Sequence, residues 1–321
     1  MSLTSKIRVA VLRGGPSSEY DVSLQTGASV LKHLPDKYHG LDVLIDKSGI
    51  WHLGGMPKSP SSVLSQVDVV WNGLHGTYGE DGQVQQILQT HAVPFTGSKS
   101  FASSVGMNKH MAKEIFVSHH LKTPQYVVIR STDDVHERAH TLFQTFVMPA
   151  IVKPSSAGSS VGVALVSSLG ELVEAVERAR EHSPSVVVEE YITGKEATCG
   201  VVEGLRGEVL HALLPVEIRT QQNIFNYDEK YGGQAEEVCP GNFSQAEKKM
   251  IEDYARRAHK VLGLRHYSRS DFIVSPKRGV YILETNSLPG LTDQSLLPKA
   301  LAAGGTTMPY FLDHVLTLAL R

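Results

Sequence analysis

The sequence predicts a protein of mixed α/β and α+β class, with a helix-flanked parallel sheet at its start. In the first third of the chain, apolar runs of strand length alternate with amphipathic helical patterns, and the connections are short. The remainder mixes helices with strands that are joined by short polar or small-residue loops. A chain of 321 residues is long enough to form two or three packed units with a substantial core.

The composition excludes several classes of partner. Apolar residues make up 41% of the chain, and a formal net charge of -2 gives no basic excess for nucleic acid. The two cysteines, Cys199 and Cys239, are too far apart in sequence for a metal-spaced pair and fit a reducing compartment. Apolar runs are too short to span a bilayer, and the N-terminus has no signal-peptide core. We therefore expect a cytoplasmic enzyme with neither a nucleic-acid nor a membrane partner.

The first predicted unit covers residues 1–100. Strand patterns lie at residues 7–12, 41–46, 50–53 and 67–71, and helical patterns at residues 20–34 and 82–90. Glu19 lies between the first strand and the first helix, where sheets of this kind usually place ligands. It could bind an ammonium group or merely complement the helix dipole. His75 lies in a turn-rich segment after a strand, where a histidine is more often structural than catalytic.

The second predicted unit covers residues 101–192. Helices are expected at residues 104–119, 132–146 and 169–181, with strands at residues 125–129, 150–152 and 185–191. Lys153 precedes a run of small residues, 155–162, whose backbone N–H groups could approach phosphate oxygens. The run lacks the Gly-Lys-Ser/Thr ending of a P-loop, so a strand–loop–strand flap fits better. A flexible turn is the alternative.

The third predicted unit covers residues 193–321. Strands are expected at residues 197–203, 208–217, 268–274 and 280–286, and helices at residues 244–262 and 309–320. A polar stretch, residues 219–239, contains Lys230 and Tyr231 and could form a mobile lid. A surface Lys-Tyr pair is the alternative explanation.

Four polar side chains fall on the last strand pair of this unit. If residues 276–279 form a four-residue hairpin loop, Asp271 lies opposite Glu284, and Arg269 opposite Asn286, all on one face. Two carboxylates and an amide oxygen are hard donors that suit Mg²⁺. A solvated face of mixed charge would look the same.

The neighbours of these four residues favour a buried site. In the same register, Ile273 and Ile282 continue the polar face as an apolar floor, which a solvated face would not need. Phe272 and Leu283 then cover the opposite face. The hairpin pattern therefore favours a divalent-metal site over a solvated face of mixed charge.

The ordered set of motifs resembles the D-alanine–D-alanine ligases of the ATP-grasp superfamily. The resemblance runs from about Arg8 to the last helix. Its segments are GGPSSEYDVSL at 14–24, LHGTYGEDG at 74–82, KPSSAGSSVG at 153–162, RSD at 269–271 and ETNSLPGLTDQSL at 284–296. It implies an ATP-grasp fold with an N-terminal Rossmann-like domain. Asn108 departs from the family's usual acidic residue before Lys109, which affects local positioning more than activity.

The resemblance also implies residue roles. ATP would be bound through its phosphates by Lys109, Lys153, Ser160 and Lys230, through adenine by Glu189, Glu190, Tyr191 and Ile192, and through ribose by Glu196. Two Mg²⁺ (or Mn²⁺) ions would be bound by Asp271, Glu284 and Asn286. The two D-alanines would be bound by Glu19, His75, Arg269, Gly290, Ser295 and Leu296. Ser159 and Tyr231 would hydrogen-bond with Glu19, and Arg269 with the Gly290 backbone would stabilise the oxyanion.

The implied activity is ATP-dependent ligation of two D-alanines through an acyl phosphate, for peptidoglycan precursor synthesis by a homodimer. A ligase that joins D-alanine to D-lactate or D-serine is the nearest alternative. In the family, tyrosine at the lid position accompanies dipeptide formation, so Tyr231 favours D-alanine as second substrate. A non-catalytic ATP-binding homologue is the alternative from another class, and the intact metal, phosphate and oxyanion positions argue against it.

Overall fold

The computed structural model describes residues 6–159, 161–219 and 236–321. Within these residues the chain forms three sheets, which draw their strands in turn from residues 7–72, 126–190 and 195–286. The predicted mixed α/β and α+β class is confirmed. Among the described helices, none combines the length and the apolar character that crossing a bilayer requires.

The first sheet is only partly parallel. Its strand order is β4-β3-β2-β1-β5, and β1 runs parallel to both β2 and β5. The elements are β1 Ile7–Gly14, α1 Tyr20–His33, β2 Tyr38–Ile45, β3 Trp51–Leu53, β4 Met56–Lys58, α2 Pro60–Leu64, β5 Val69–Asn72 and α3 Gln83–Thr90. Strands β3 and β4 are antiparallel because the turns that precede them are too short for a crossover.

The single helix predicted at residues 104–119 is two helices, α4 (Ser100–Met107) and α5 (Lys109–Ser118). They are separated at Asn108, whose backbone is extended with ψ at 103°. The Asn108 side chain caps α5 by accepting a hydrogen bond of 3.1 Å from the backbone N–H of Met111. Asn and Asp cap helices about equally well, so the departure noted at this position preserves the local structure.

The second sheet is antiparallel, with strand order β6-β9-β7-β8. Its elements are β6 Tyr126–Arg130, α6 Val135–Thr145, β7 Ala150–Pro154, β8 Ala164–Val166, α7 Leu169–Arg180 and β9 Ser185–Glu190. Strands β7 and β8 pair directly on either side of the small-residue loop. The predicted strand–loop–strand arrangement is therefore confirmed.

The third sheet is also antiparallel, with order β13-β12-β10-β14-β15 and with β11 paired to β10. Its elements are β10 Lys195–Glu203, β11 Leu210–Ala212, β12 Val216–Arg219, β13 Glu236–Val238, α8 Gln245–Val261, β14 Tyr267–Ser275 and β15 Gly279–Asn286. Two helices close the chain, α9 Leu296–Ala303 and α10 Met308–Ala319.

Two predictions for this part of the chain were wrong. The strand expected at residues 208–217 is divided into β11 and the start of β12, because Pro215 between them has no N–H for a ladder bond. Helix α9 was missed, because no helix was predicted between residues 286 and 309. It carries Pro298 in its first turn, where proline is tolerated because the N–H groups have no partner within the helix.

The β14–β15 hairpin corrects the predicted register at its turn. Ser275 lies opposite Gly279 rather than Val280, and a β-bulge between Asp271 and Phe272 takes up the extra residue. Beyond the bulge Asp271 lies opposite Glu284, as predicted. The bulge exchanges the positions of two apolar residues, Ile282 and Leu283.

Leu283 faces the pocket side and packs with Ile273, whereas Ile282 is fully buried in the core with Phe272. The prediction had assigned Ile282 to the pocket floor and Leu283 to the opposite face. It was wrong because a bulge shifts the alternation of side chains by one residue.

The first and third sheets share one core. Trp71 stacks on Tyr267 with a ring separation of 6.2 Å, and Phe311 of α10 packs edge-on to Tyr267 at 5.4 Å. All three side chains are almost completely buried. This aromatic packing joins the first sheet to the third.

Candidate active site

A cavity of about 630 Å³ collects the predicted site residues from all three sheets. The predicted residues that line it are Glu19, His75, Lys109, Lys153, Ser159, Glu189, Glu190, Tyr191, Ile192, Glu196, Arg269, Asp271, Glu284, Asn286, Gly290, Ser295 and Leu296. Three further predicted residues, Ser160, Lys230 and Tyr231, lie outside the described residues.

The Asp271 carboxylate is held from two sides. Arg269 donates from Nε and Nη2 to its two oxygens, at 3.0 Å each. The hydroxyl of Thr198, which lies opposite Asp271 on β10, donates to Oδ1 at 2.6 Å. Sequence reasoning missed Thr198, because only the β10–β14 register brings it opposite Asp271.

Glu284 and Asn286 complete the predicted metal ligands. The Lys109 ammonium lies 3.4 Å from Glu284 Oε2, and Asn286 Oδ1 accepts a hydrogen bond of 2.8 Å from the Leu288 N–H. An amide oxygen has a second lone pair, so this bond leaves it able to bind a cation. The donor set is thus two carboxylates and one amide oxygen, which fits Mg²⁺ or Mn²⁺.

The same residues cannot enclose a metal ion without further ligands. In the part of the chain that the structure describes, no three His, Cys, Asp or Glu side chains are grouped so as to hold one. A divalent ion here would need oxygen atoms from the amide and from a bound phosphate. That is how Mg²⁺ is usually bound next to a nucleotide.

The small-residue loop is tied to the start of α5. The Ser155 hydroxyl donates to Asn108 Oδ1 at 3.1 Å, and the Lys109 N–H donates to the Ser155 carbonyl at 2.8 Å. The Lys109 ammonium donates to the carbonyl of Ala157 at 2.7 Å. Lys109 therefore links the loop to the Glu284 carboxylate.

Glu189 lies between two lysines. Its carboxylate oxygens are 3.1 Å from the Lys153 ammonium and 3.3 Å from that of Lys113. Burial alone would raise the pKa of Glu189, but the two positive charges outweigh it and lower the pKa. Burial lowers the pKa of Lys113 to about 8. Sequence reasoning missed Lys113, although its position four residues after Lys109 on one helix was a usable signal.

Glu190 has a different partner. Its carboxylate accepts two hydrogen bonds, of 2.9 and 3.2 Å, from Arg278 in the β14–β15 turn, and a third of 3.0 Å from the Gln125 N–H. Its carboxylate therefore links the second sheet to the third. Next to it, Ile192 packs with Ile273 in an apolar cluster that lines the cavity and suits a flat ring.

The Glu19 carboxylate accepts a hydrogen bond from the Ser159 hydroxyl. Glu19 occupies the N-cap position of α1, and its side chain makes no capping hydrogen bond there. The carboxylate lies against two glycines. A Cβ atom would be 2.6 Å from Glu19 Oε2 at Gly76 and 2.8 Å from it at Gly158.

His75 is buried beside Glu19. Its Nδ1 lies 3.1 Å from Glu80 Oε1, and its Nε2 lies 2.8 Å from the Thr26 hydroxyl. Burial alone would lower the pKa of His75, but the nearby carboxylates Glu80 and Glu19 outweigh it and raise the pKa. Both ring nitrogens are thus held by protein partners, while the residue lines the cavity.

The loop between β15 and α9 forms the remaining wall. The Ser295 hydroxyl accepts a hydrogen bond of 3.1 Å from the Thr292 N–H. A Cβ atom at Gly290 would lie 2.9 Å from that hydroxyl oxygen. Glycine at 290 therefore lets the backbone approach Ser295 closely.

The fold and cavity together define an ATP-dependent ligase with an ATP-grasp fold. A D-alanine–D-alanine ligase from Bacillus anthracis complexed with ATP superposes with a TM-score of 0.81, at 28% identity over 98% of each chain. The D-Ala:D-Ser ligase VanG from Enterococcus faecalis superposes with a TM-score of 0.85, at 27% identity over 98% of this chain and 99% of that one.

The chain belongs to the D-alanine–D-alanine ligase family. Its residues 8–63 and 55–98 match the family model of the ligase N-terminus, and residues 115–317 match that of the C-terminus. The D-alanine–D-alanine ligase of Desulfotalea psychrophila is 35% identical over 320 residues, which cover 98% of this chain and 96% of that protein.

Proposed function

We propose that the protein joins two D-alanine molecules with the energy of ATP, in the synthesis of peptidoglycan precursors. One observation carries the proposal: the metal-type carboxylates, the phosphate-facing lysines and the Glu19–Ser159 contact line the same cavity. That arrangement provides for a nucleotide and an amino acid side by side. Names of the relatives support D-alanine as the substrate.

The first D-alanine would bind with its ammonium group at Glu19 and its carboxylate toward the phosphates. Lys109 and Lys153 would bind and orient the ATP phosphates, while Glu189–Ile192 would hold the adenine and Glu196 the ribose. Attack of the carboxylate on the γ-phosphate gives an acyl phosphate and ADP. Neutralising the phosphate charge and aligning the attacking oxygen are the main requirements of this step.

The second D-alanine would bind at Ser295 and Leu296. Its amine attacks the activated carbonyl, and phosphate leaves. Arg269 and the Gly290 backbone would stabilise the oxyanion that develops on the carbonyl oxygen. Asp271, Glu284 and Asn286 would hold two Mg²⁺ or Mn²⁺ ions, which supply positive charge to the phosphates when bound.

The test is an acceptor assay with ATP and Mg²⁺. Phosphate release should depend on D-alanine, and D-alanyl-D-alanine should be the main product at neutral pH. Preferred use of D-serine or D-lactate as second substrate would overturn the choice of acceptor. ATP binding without release of phosphate would overturn the catalytic proposal itself.

Three further proposals concern the domain division, the oligomeric state and the cellular location. We infer three units at residues 1–100, 101–192 and 193–321, a homodimer, and a cytoplasmic location. Limited proteolysis should cut first near residues 100 and 192. Sedimentation should give about twice the chain mass of 35.0 kDa. Fractionation of the source cells should recover the enzyme with the cytosol.

A further inference from the structure

Lys113 lies just behind the wall of the cavity. It is on α5, four residues after Lys109, and its side chain is completely buried. Its ammonium group donates to the Thr123 hydroxyl at 2.7 Å and lies 3.3 Å from Glu189 Oε1. It does not belong to the residues that line the cavity, so a ligand there would not touch it.

The charges of Lys113, Glu189 and Lys153 form one connected group. Glu189 contacts both lysines, and the side chains of Glu189 and Lys153 are only 2% and 13% exposed. Two positive charges against one negative leave a net charge of one. Lys153 and Glu189 both line the cavity, whereas Lys113 lies behind its wall and offsets the Glu189 charge from the side away from a ligand.

Removing Lys113 would change what Lys153 offers to a ligand. The remaining Glu189–Lys153 pair is neutral, and in a buried site an adjacent carboxylate offsets much of the field of an ammonium group. With Lys113 present, the Glu189 charge is shared between two ammonium groups. These three side chains together then present one net positive charge to a triphosphate at the cavity wall.

We propose that Lys113 is a positioning residue for ATP, whose charge offsets Glu189 and so leaves Lys153 positively charged toward the phosphates. This inference rests on the proposed function, in which Lys153 faces the ATP phosphates. It assigns Lys113 no contact with substrate. Its effect is confined to the phosphate part of the nucleotide.

The experiment compares two probes that share the adenine and ribose. Binding of adenosine and of the β,γ-imido analogue of ATP, with Mg²⁺, is measured by calorimetry on the full chain. Lys113→Met should weaken binding of the ATP analogue about tenfold or more and should leave adenosine binding within about twofold. Lys99→Met, which removes an exposed lysine, is the matched control.

A double variant tests the charge argument directly. Glu189→Gln combined with Lys113→Met removes one charge of each sign, so the net charge of these three positions is again one positive, and affinity for the ATP analogue relative to adenosine should recover. Equal losses for both probes, or no recovery in the double variant, would overturn the proposal. If the unmodified protein fails to bind the ATP analogue, the proposed function is wrong instead. If Lys113→Met alone does not fold, the affinity of the double variant for the ATP analogue relative to adenosine is the test.

Discussion

The Ser159 hydroxyl donates a hydrogen bond to the Glu19 carboxylate, although 140 residues separate them in sequence. Glu19 precedes the first helix, and Ser159 lies in the loop between β7 and β8. The bond therefore joins the first sheet to the second across the cavity. It also fixes the carboxylate that we assign to the ammonium group of the first D-alanine.

Replacing Ser159 by alanine should weaken binding of the first D-alanine. A hydrogen bond to a charged group contributes roughly 1.5–3 kcal/mol, so the KM for the first D-alanine should rise about 10–150-fold. Steady-state kinetics at saturating ATP measures this. Ser156→Ala is the matched control, because Ser156 lies in the same loop and its described hydrogen bond is made by its backbone N–H. Equal kinetics for both variants would remove Ser159 from substrate binding.

Replacing Glu284 by glutamine should weaken the metal site. Loss of one carboxylate ligand should lower the affinity for Mn²⁺ at least about tenfold, by analogy with the 10–100-fold effects of residues around metal sites. Electron paramagnetic resonance with the nucleotide bound measures Mn²⁺ affinity without relying on turnover. Glu114→Gln is the control, since that carboxylate is 62% exposed and pairs with His110. Unchanged Mn²⁺ binding, or near-normal turnover, contradicts the assignment.

Replacing Arg269 by lysine should lower kcat about 10²–10³-fold, the usual cost of losing one oxyanion donor. Lysine keeps the positive charge but cannot form the bidentate hydrogen bonds that Arg269 makes with the Asp271 carboxylate. Arg278→Lys is the control, because Arg278 makes a similar contact with Glu190. A kcat for Arg269→Lys within about threefold of the parent would show that Arg269 is not an oxyanion donor.

We expect His266 to make the stability of the fold depend on pH. Its Nδ1 accepts a hydrogen bond of 3.0 Å from the Gly97 N–H, which protonation would break. Burial is the main cause that lowers the pKa of His266 to about 4, and the adjacent Arg265 adds to it. Between pH 6.5 and about 4 the unfolded chain binds the proton more readily, so stability is lost as the pH falls through this window.

The expected loss from this histidine is about 3 kcal/mol. Denaturant unfolding at pH 7.5, 5.5 and 4.5 measures it. His266→Asn should flatten the pH dependence, because asparagine does not titrate. Its side-chain oxygen can accept the hydrogen bond from the Gly97 N–H, and asparagine tolerates the positive φ of 66° at position 266. A parallel pH dependence in the parent and in this variant would assign the loss to other groups.

Much of the site could be predicted because its residues are close in sequence. Asp271 lies two residues after Arg269, and Asn286 two after Glu284, so strand geometry alone places each pair on one face. The same holds for the helices, whose apolar periodicity is local. The predicted hairpin loop was one residue too long, but Asp271 still lies opposite Glu284 as predicted. The bulge between this pair and the turn compensates for the error.

Only the tertiary structure decided which side chains that are distant in sequence come into contact. The Glu19–Ser159 bond, the Thr198 bond to Asp271 and the burial of Lys113 against Glu189 each join separate elements. The sequence by itself determined the elements, the family resemblance and the candidate ligands, because periodicity and motif spacing act over a few residues. Partners of buried charges depend instead on how whole sheets pack, and packing is set by contacts that no local pattern specifies.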